Sequence, residues 1–293
     1  EREVAIKRLL PEYGHRAESV QSLIDEAKLG ARLSHGNLAQ VERLEHIDGE
    51  WIVVLEYVRG VDLFQLSRVL RQNERRLGVP DIGHIGRELL QALQFIPPAR
   101  GTDGQPLNLV HCDIAPANVM VSENGEVKLI DFGSAKGSSL AELDGSVPGG
   151  KLRYRSPEQL RGDGFDLRSD LYSVAIVMWE LLAGERVYES MQLEEIVDNI
   201  SAGLVPEISE FRPDLPVSLR RLLDRALAPN RKARFQTADA FLAALEDAHL
   251  CVEPARARYA LGELARVTAE RPGLEVVSEE VSLEESLEAE LGF

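Results

Sequence analysis

The stretch Val110-His111-Cys112-Asp113-Ile114-Ala115-Pro116-Ala117-Asn118-Val119 sets a carboxylate and a carboxamide five residues apart, framed by a histidine and a proline. It follows the apolar Leu107 to Val110, so Asp113 and Asn118 are expected on a loop that leaves a strand. A carboxylate so placed can take a hydroxyl proton, and a carboxamide oxygen can bind a hard cation. Downstream, Val119 to Ser122 and Val127 to Ile130 read as a hairpin turned by Glu123-Asn124-Gly125-Glu126, where Asn-Gly is a strong hairpin signal. The hairpin ends in Asp131-Phe132-Gly133; the acid adds an oxygen ligand and Gly133 frees the backbone to turn. Two protein oxygens plus a phosphate suit Mg²⁺. Upstream, Lys7 on a strand and Glu26 on a following helix can pair, which would aim the ammonium at an anionic ligand.

Around this stretch the chain has two regimes. Residues 1 to 58 read as a strand (3 to 10), a helix (16 to 33) and two strands (40 to 47 and 51 to 58) joined by Ile47-Asp48-Gly49-Glu50. From 59 to 248 helical periodicity dominates, at 62–76, 81–96, 156–161, 170–183, 193–201, 216–228 and 237–247. The last part, 249 to 293, reads as an acidic extension. Its residues 273–293 hold seven glutamates and no basic residue, with Leu283, Leu287 and Leu291 as a weak helical stripe. A solvated or disordered tail is the plain reading, and an autoinhibitory or docking segment the sharper one.

The balance of 33 basic against 49 acidic residues, a formal charge of −16, argues against a nucleic-acid surface and favours cationic partners. Cys112 and Cys251 lack metal-ligand or disulfide-framework spacing, which points to a reducing, cytoplasmic setting. No stretch reaches the roughly 18 apolar residues of a membrane span; Leu171 to Ala183 is interrupted by Trp179-Glu180 and reads as a buried helix. The sequence opens without methionine inside an alternating, strand-like pattern, so the expectation is that it is truncated at this end.

Taken in order, Val4-Ala5-Ile6-Lys7, Glu26, His111-Cys112-Asp113 through Asn118, Asp131-Phe132-Gly133 and Ser156-Pro157-Glu158 resemble the signature set of the protein-kinase family. Each alone is weak; the order and spacing together are specific. Ser34-His35-Gly36-Asn37, Leu55 before Glu56-Tyr57-Val58, Ser169-Asp170-Leu171-Tyr172-Ser173 and Arg234-Phe235 extend the likeness over residues 3 to 248, with an insertion at Pro97 to Leu109. Its flavour is that of bacterial serine/threonine kinases. The resemblance implies an α+β, bilobal kinase-like fold with a small sheet-rich N-lobe, apparently truncated, and a larger, mainly α-helical C-lobe.

It also implies roles and ligands: ATP, Mg²⁺ and a protein substrate. Lys7 would contact the α- and β-phosphates and pair with Glu26. Asp113 would orient and deprotonate the substrate hydroxyl, while Asn118 and Asp131 would hold Mg²⁺. Ala5 and Met120 would sandwich the adenine, and the backbone of Glu56 and Val58 would bond its edge. Glu158 would pair with Arg234, and Asp170 would brace the catalytic loop.

Four departures stand out. The glycine-rich strand pair that should precede Lys7 is absent from the sequence. Cys112 replaces an arginine that neutralises a phosphorylated loop, so activity is expected to be independent of phosphorylation at Ser138, Ser139 and Ser146; the alternative is simply a small buried side chain. Ala115 stands where serine/threonine kinases carry a lysine that steadies the transferring phosphate. Lys151, in Gly150-Lys151-Leu152-Arg153-Tyr154, stands where a threonine usually faces the catalytic aspartate, so Lys151 is a candidate relocated lysine, against the alternative that it points to solvent. Gly30 replaces a bulky apolar residue one turn after Glu26, which suggests a helix that depends on a regulatory partner.

Three functions fit: an active protein serine/threonine kinase, a pseudokinase acting as scaffold or allosteric module, and a small-molecule phosphotransferase. The four groups Lys7, Asp113, Asn118 and Asp131 favour the first. The missing lid, Cys112 and Ala115 speak for the second, and the Ser-Pro-Glu motif with Arg234 speaks against the third. Net charge favours basic residues near the target hydroxyl.

Overall fold

The structure is a computed structural model and describes residues 2–11, 13–14, 16–96, 109–131, 149–189, 191–248, 250 and 253–270. The small lobe consists of β1 (Val4–Arg8), α1 (Ala17–Gly30), β2 (Val41–Ile47) and β3 (Glu50–Glu56), with the strands antiparallel in the order β1-β3-β2. Asp48 and Gly49 both take positive φ, 53° and 88°, which is what a two-residue hairpin turn of matching twist demands. Strand pairing sets Lys7 opposite Val53, and Leu23 and Ala27 of α1 pack on Val41 and Val53 to close a small core.

The chain leaves this lobe through Tyr57 to Arg59 and forms β4 (Gly60–Asp62) and α2 (Leu63–Gln72). Asp62 caps α2 by accepting from the Gln65 amide at 2.7 Å. This helix stops at Gln72, four residues short of the expected 76, because Glu74 turns left-handed at φ 52°. Next come α3 (Val79–Phe95), with a proline in its first turn, and the hairpin β5 (Val119–Ser122) and β6 (Val127–Leu129), which pairs with β4 in the order β4-β5-β6.

The remainder is helical: α4 (Gly149–Leu152), α5 (Pro157–Arg161), α6 (Leu167–Ala183), α7 (Leu193–Ala202), α8 (Ile208–Phe211), α9 (Val217–Ala226) and α10 (Ala238–Asp247). In α6 every residue from Ser169 to Ala183 is buried, the mark of a helix surrounded by its own protein. Asp166 caps its start and Gly184, at φ 74°, ends it. The main core runs through α3, α6 and the hairpin, joining Leu89 and Leu93 to Ile176 and to Val119, Val121 and Leu129.

Part of the expected tail is an ordered helix, α11 (Pro254–Ala269). Ala257, Leu261 and Ala265, four residues apart, are buried along one face. Gly262 lets the helix backbone come close to the β5–β6 turn, since a Cβ there would lie 2.7 Å from the Glu123 carbonyl oxygen. Arg258 and Arg266 donate to the carbonyls of Asn124 and Glu123, each at 3.1 Å. Among the described residues no helix is long and apolar enough to cross a membrane.

Candidate active site

Lys7 joins the two lobes. Alternation along β1 puts Ala5 and Lys7 on one face, with the exposed Ile6 on the other. The Lys7 ammonium donates to both Glu26 carboxylate oxygens at 2.7 and 2.8 Å and to Asp131 Oδ1 at 2.7 Å. Two carboxylates on one cation set the local titration. Burial lowers the lysine's proton affinity, but the Asp131 and Glu26 charges outweigh it and the pKa ends up raised. Burial, aided by the Asp131 charge, pushes Glu26 up to about 7. For Asp131, burial acts upward but the Lys7 charge prevails and holds it below the usual carboxylate range. Asp131 also carries a positive φ of 66°, an uncommon backbone for a residue other than glycine. Phe132 and Gly133 lie outside the described residues, as do Ser138, Ser139, Ser146 and most of the 97–109 insertion.

The loop holding Asp113 is fixed from below. Asp170, buried in α6, accepts from the backbone N–H of His111 at 2.7 Å and of Cys112 at 2.9 Å. Burial pushes its pKa up to about 7 against these two donors, and burial lowers that of His111 to about 4. The brace holds Cys112 at φ 63°, a left-handed conformation that costs about 1–3 kcal/mol. The Cys112 side chain is buried with Val110 and Phe165, as the plain reading of that residue has it. Asn118 donates to the Asp113 carbonyl at 2.8 Å and to Asp113 Oδ2 at 2.7 Å, so its own carboxamide oxygen is the acceptor left over.

Lys151 lies against the same aspartate, its ammonium 2.7 Å from Asp113 Oδ2, instead of pointing to solvent. On the far side of the loop Glu158 and Arg234 form a buried, two-pronged ion pair at 2.7 and 2.8 Å. Arg234 also lies over the Tyr172 ring at 4.7 Å.

The expected adenine-binding residues sit at the junction of the lobes. Ala5 pairs with Leu55 in the small sheet, Glu56 ends β3 and Val58 is buried in the connection. Met120 lies opposite Lys128 in the hairpin, and Lys128 reaches Glu56 Oε1 at 2.8 Å, tying the face that carries Met120 to the connection. This bridge escaped the sequence reading. Its one signal is a lysine alternating with buried Val127 and Leu129. Asn37 is another such tie, donating from α1's exit to Glu88 at 2.6 Å and to the Val127 carbonyl at 3.0 Å. Gly30 is buried at the end of α1.

A two-lobed fold with a lysine–glutamate pair above, a braced aspartate loop below and a second aspartate between them defines a kinase-type phosphotransferase scaffold. Residues 1–244 match the protein kinase domain family, and the chain belongs to that family. It is 34% identical over 247 residues to the tyrosine-protein kinase MasK of Myxococcus xanthus (strain DK1622), covering 84% of this chain and 38% of the relative. It is 29% identical over 236 residues to the probable serine/threonine-protein kinase PknB of Lactococcus lactis subsp. lactis (strain IL1403), covering 80% and 36%. The chain thus spans well under half the length of these curated relatives. The crystal structure of a point mutant of the Mycobacterium tuberculosis PknI kinase domain matches with a TM-score of 0.61 and 27% identity, covering 84% of this chain and 85% of that one.

Proposed function

We propose that the protein is a kinase that moves the γ-phosphoryl group of Mg·ATP to a serine or threonine hydroxyl of a protein substrate. The observation that carries this reading is a pair of contacts, Lys7 of β1 with Asp131 after the β5–β6 hairpin and Asn118 with Asp113, with the Ile130 N–H donating to the Asn118 carbonyl between them. In the step, the bond from γ-phosphorus to the bridging oxygen of ATP breaks and a bond to the substrate oxygen forms. Asp113 takes the hydroxyl proton and ADP leaves. Lys7, already aimed by Glu26, holds the α- and β-phosphates. Lys151, paired with Asp113, would steady the transferring group in the absence of a lysine at Ala115.

The donor set fits magnesium: a carboxylate at Asp131 and the spare carboxamide oxygen of Asn118 are hard oxygens, and phosphate would complete the sphere. Such an ion supplies charge neutralisation at the phosphates. The names of the relatives divide between tyrosine and serine/threonine; the Pro116 of the catalytic loop favours the latter. The test is transfer of labelled γ-phosphate to the protein itself or to a generic protein, with acid hydrolysis to identify the labelled residue. Label on serine or threonine is expected; label on tyrosine overturns the specificity, and no Asp113-dependent label moves the reading to a scaffold.

A further inference from the structure

Pro116 of the catalytic loop and the buried Tyr154 line a narrow surface pocket whose water-accessible space is only about 30 Å³. Pro116 lies three residues beyond Asp113, and Tyr154 three beyond Lys151, which contacts Asp113 at 2.7 Å. A chain laid across its mouth therefore passes close to the catalytic loop. The lining carries four arginines, Arg71, Arg75, Arg76 and Arg186, against two glutamates, in a protein whose formal charge is −16. One of the two acids is already spent: Glu180 accepts from the Tyr154 hydroxyl at 2.8 Å and from the Val187 N–H at 3.1 Å.

The arginines, in contrast, have capacity to spare. Among the described residues Arg75, Arg76 and Arg186 form no ion pair, and Arg186 rests on the Phe64 ring at 5.0 Å, which holds its guanidinium in place. Arg71 pairs with Glu189 at 2.9 Å, both partners well exposed, an arrangement that a competing carboxylate can exchange. Arg75 and Arg76 are exposed, yet follow directly on the left-handed Glu74, so the turn that ends α2 presents them together. A planar guanidinium fork is the side chain best matched to carboxylate oxygens.

We propose that the arginine rim of this pocket receives an acidic stretch of the protein substrate, its aspartate or glutamate side chains paired with Arg75, Arg76 and Arg186. The net charge alone favours a basic target; the local lining reverses that preference at this rim. This assignment rests on the kinase reading for its consequence but not for its test, because binding is measured without transfer.

The experiment titrates two fluorescein-labelled serine peptides, one flanked by glutamates and one by lysines, into the full chain at low and at physiological salt. The glutamate peptide should bind about tenfold more tightly than the lysine peptide, with the gap narrowing as salt rises. The variant Arg75→Glu/Arg76→Glu, whose sites are on the surface, should reverse the order while thermal stability stays unchanged. Equal binding of the two peptides, or an order unaffected by the double substitution, overturns the proposal. Replacing the seven glutamates of 273–293 by glutamine should leave the affinity as it was. A severalfold rise would show the rim covered by the chain's own acidic segment and overturn the assignment to a substrate. Failure of phosphate transfer with these binding results intact would instead count against the kinase reading.

Discussion

Lys151 and Asp113 form an ion pair at 2.7 Å, thirty-eight residues apart in the chain. On the proposed mechanism the pair sets a cation beside the carboxylate that would take the hydroxyl proton, where Ala115 supplies none. A phosphate-contacting cation stabilises the transition state by several kcal/mol, so Lys151→Ala is expected to lower kcat by about a thousandfold. The KM for ATP should change far less, because the proposed mechanism gives the other phosphates to Lys7. A steady-state rate equal to wild type would remove Lys151 from the mechanism.

The Glu158–Arg234 pair predicts a stability effect instead. Both side chains are buried, at 2% and 0% exposure, and burial tends to raise the Glu158 pKa while the Arg234 hydrogen bond brings it net below its ordinary value. Arg234→Met leaves a carboxylate buried without its partner, a loss of about 3–5 kcal/mol. Chemical denaturation should show that drop, and an unchanged midpoint would contradict it.

Glu26 sets a pH dependence. Its pKa rises from 4.5 to about 7 on folding, through burial and the Asp131 charge. The folded state therefore keeps a proton that the unfolded chain releases. The contribution is complete below about pH 4.5, declines as pH rises through 7 and is gone above it. Glu26→Gln cannot titrate, so its Tm should decline less between pH 5 and 8 than that of the wild type. Parallel Tm curves would show that Glu26 does not titrate in this window.

Close backbone approach makes a further case. At Gly262 an added methyl would meet the Glu123 carbonyl oxygen at 2.7 Å, whereas at Gly36 nothing lies within 4 Å. Gly262→Ala should destabilise by about 1–3 kcal/mol, through displacement of α11 from the β5–β6 turn. Gly36→Ala serves as the control and should unfold at the wild-type denaturant concentration. If both variants unfold together, α11 does not stabilise the domain.

Much of the fold is legible because its signals are local. Asp48-Gly49 and Asn124-Gly125 mark the hairpins, and the run to Ala183 reads as a buried helix from composition alone. The candidate site is legible through order: Lys7, Glu26, Asp113, Asn118 and Asp131 each carry one chemistry at a family spacing. What escapes is long-range. The helix Pro254–Ala269 hides because its buried face is made largely of alanine and glycine and because the acidic residues after it colour the whole extension. Ala257, Leu261 and Ala265 at steps of four are the trace it leaves. Likewise, nothing local brings Arg186 beside Arg75 and Arg76; they meet because Phe64 of α2 lies against Arg186, just beyond α6, at one pocket. The expected strand ends of the small lobe run past the observed ones because pairing, not propensity, stops β3 at Glu56.

In the proposed reaction Asp113 takes the proton of a hydroxyl receiving phosphate from Mg·ATP. Asp113→Asn keeps the shape and loses the base, and single-turnover transfer of labelled γ-phosphate reads the difference directly. Measurable transfer by the wild-type chain is expected, with a fall of at least about a hundredfold in the variant, the lower limit for loss of a general base. Transfer at the same rate in both proteins would contradict it.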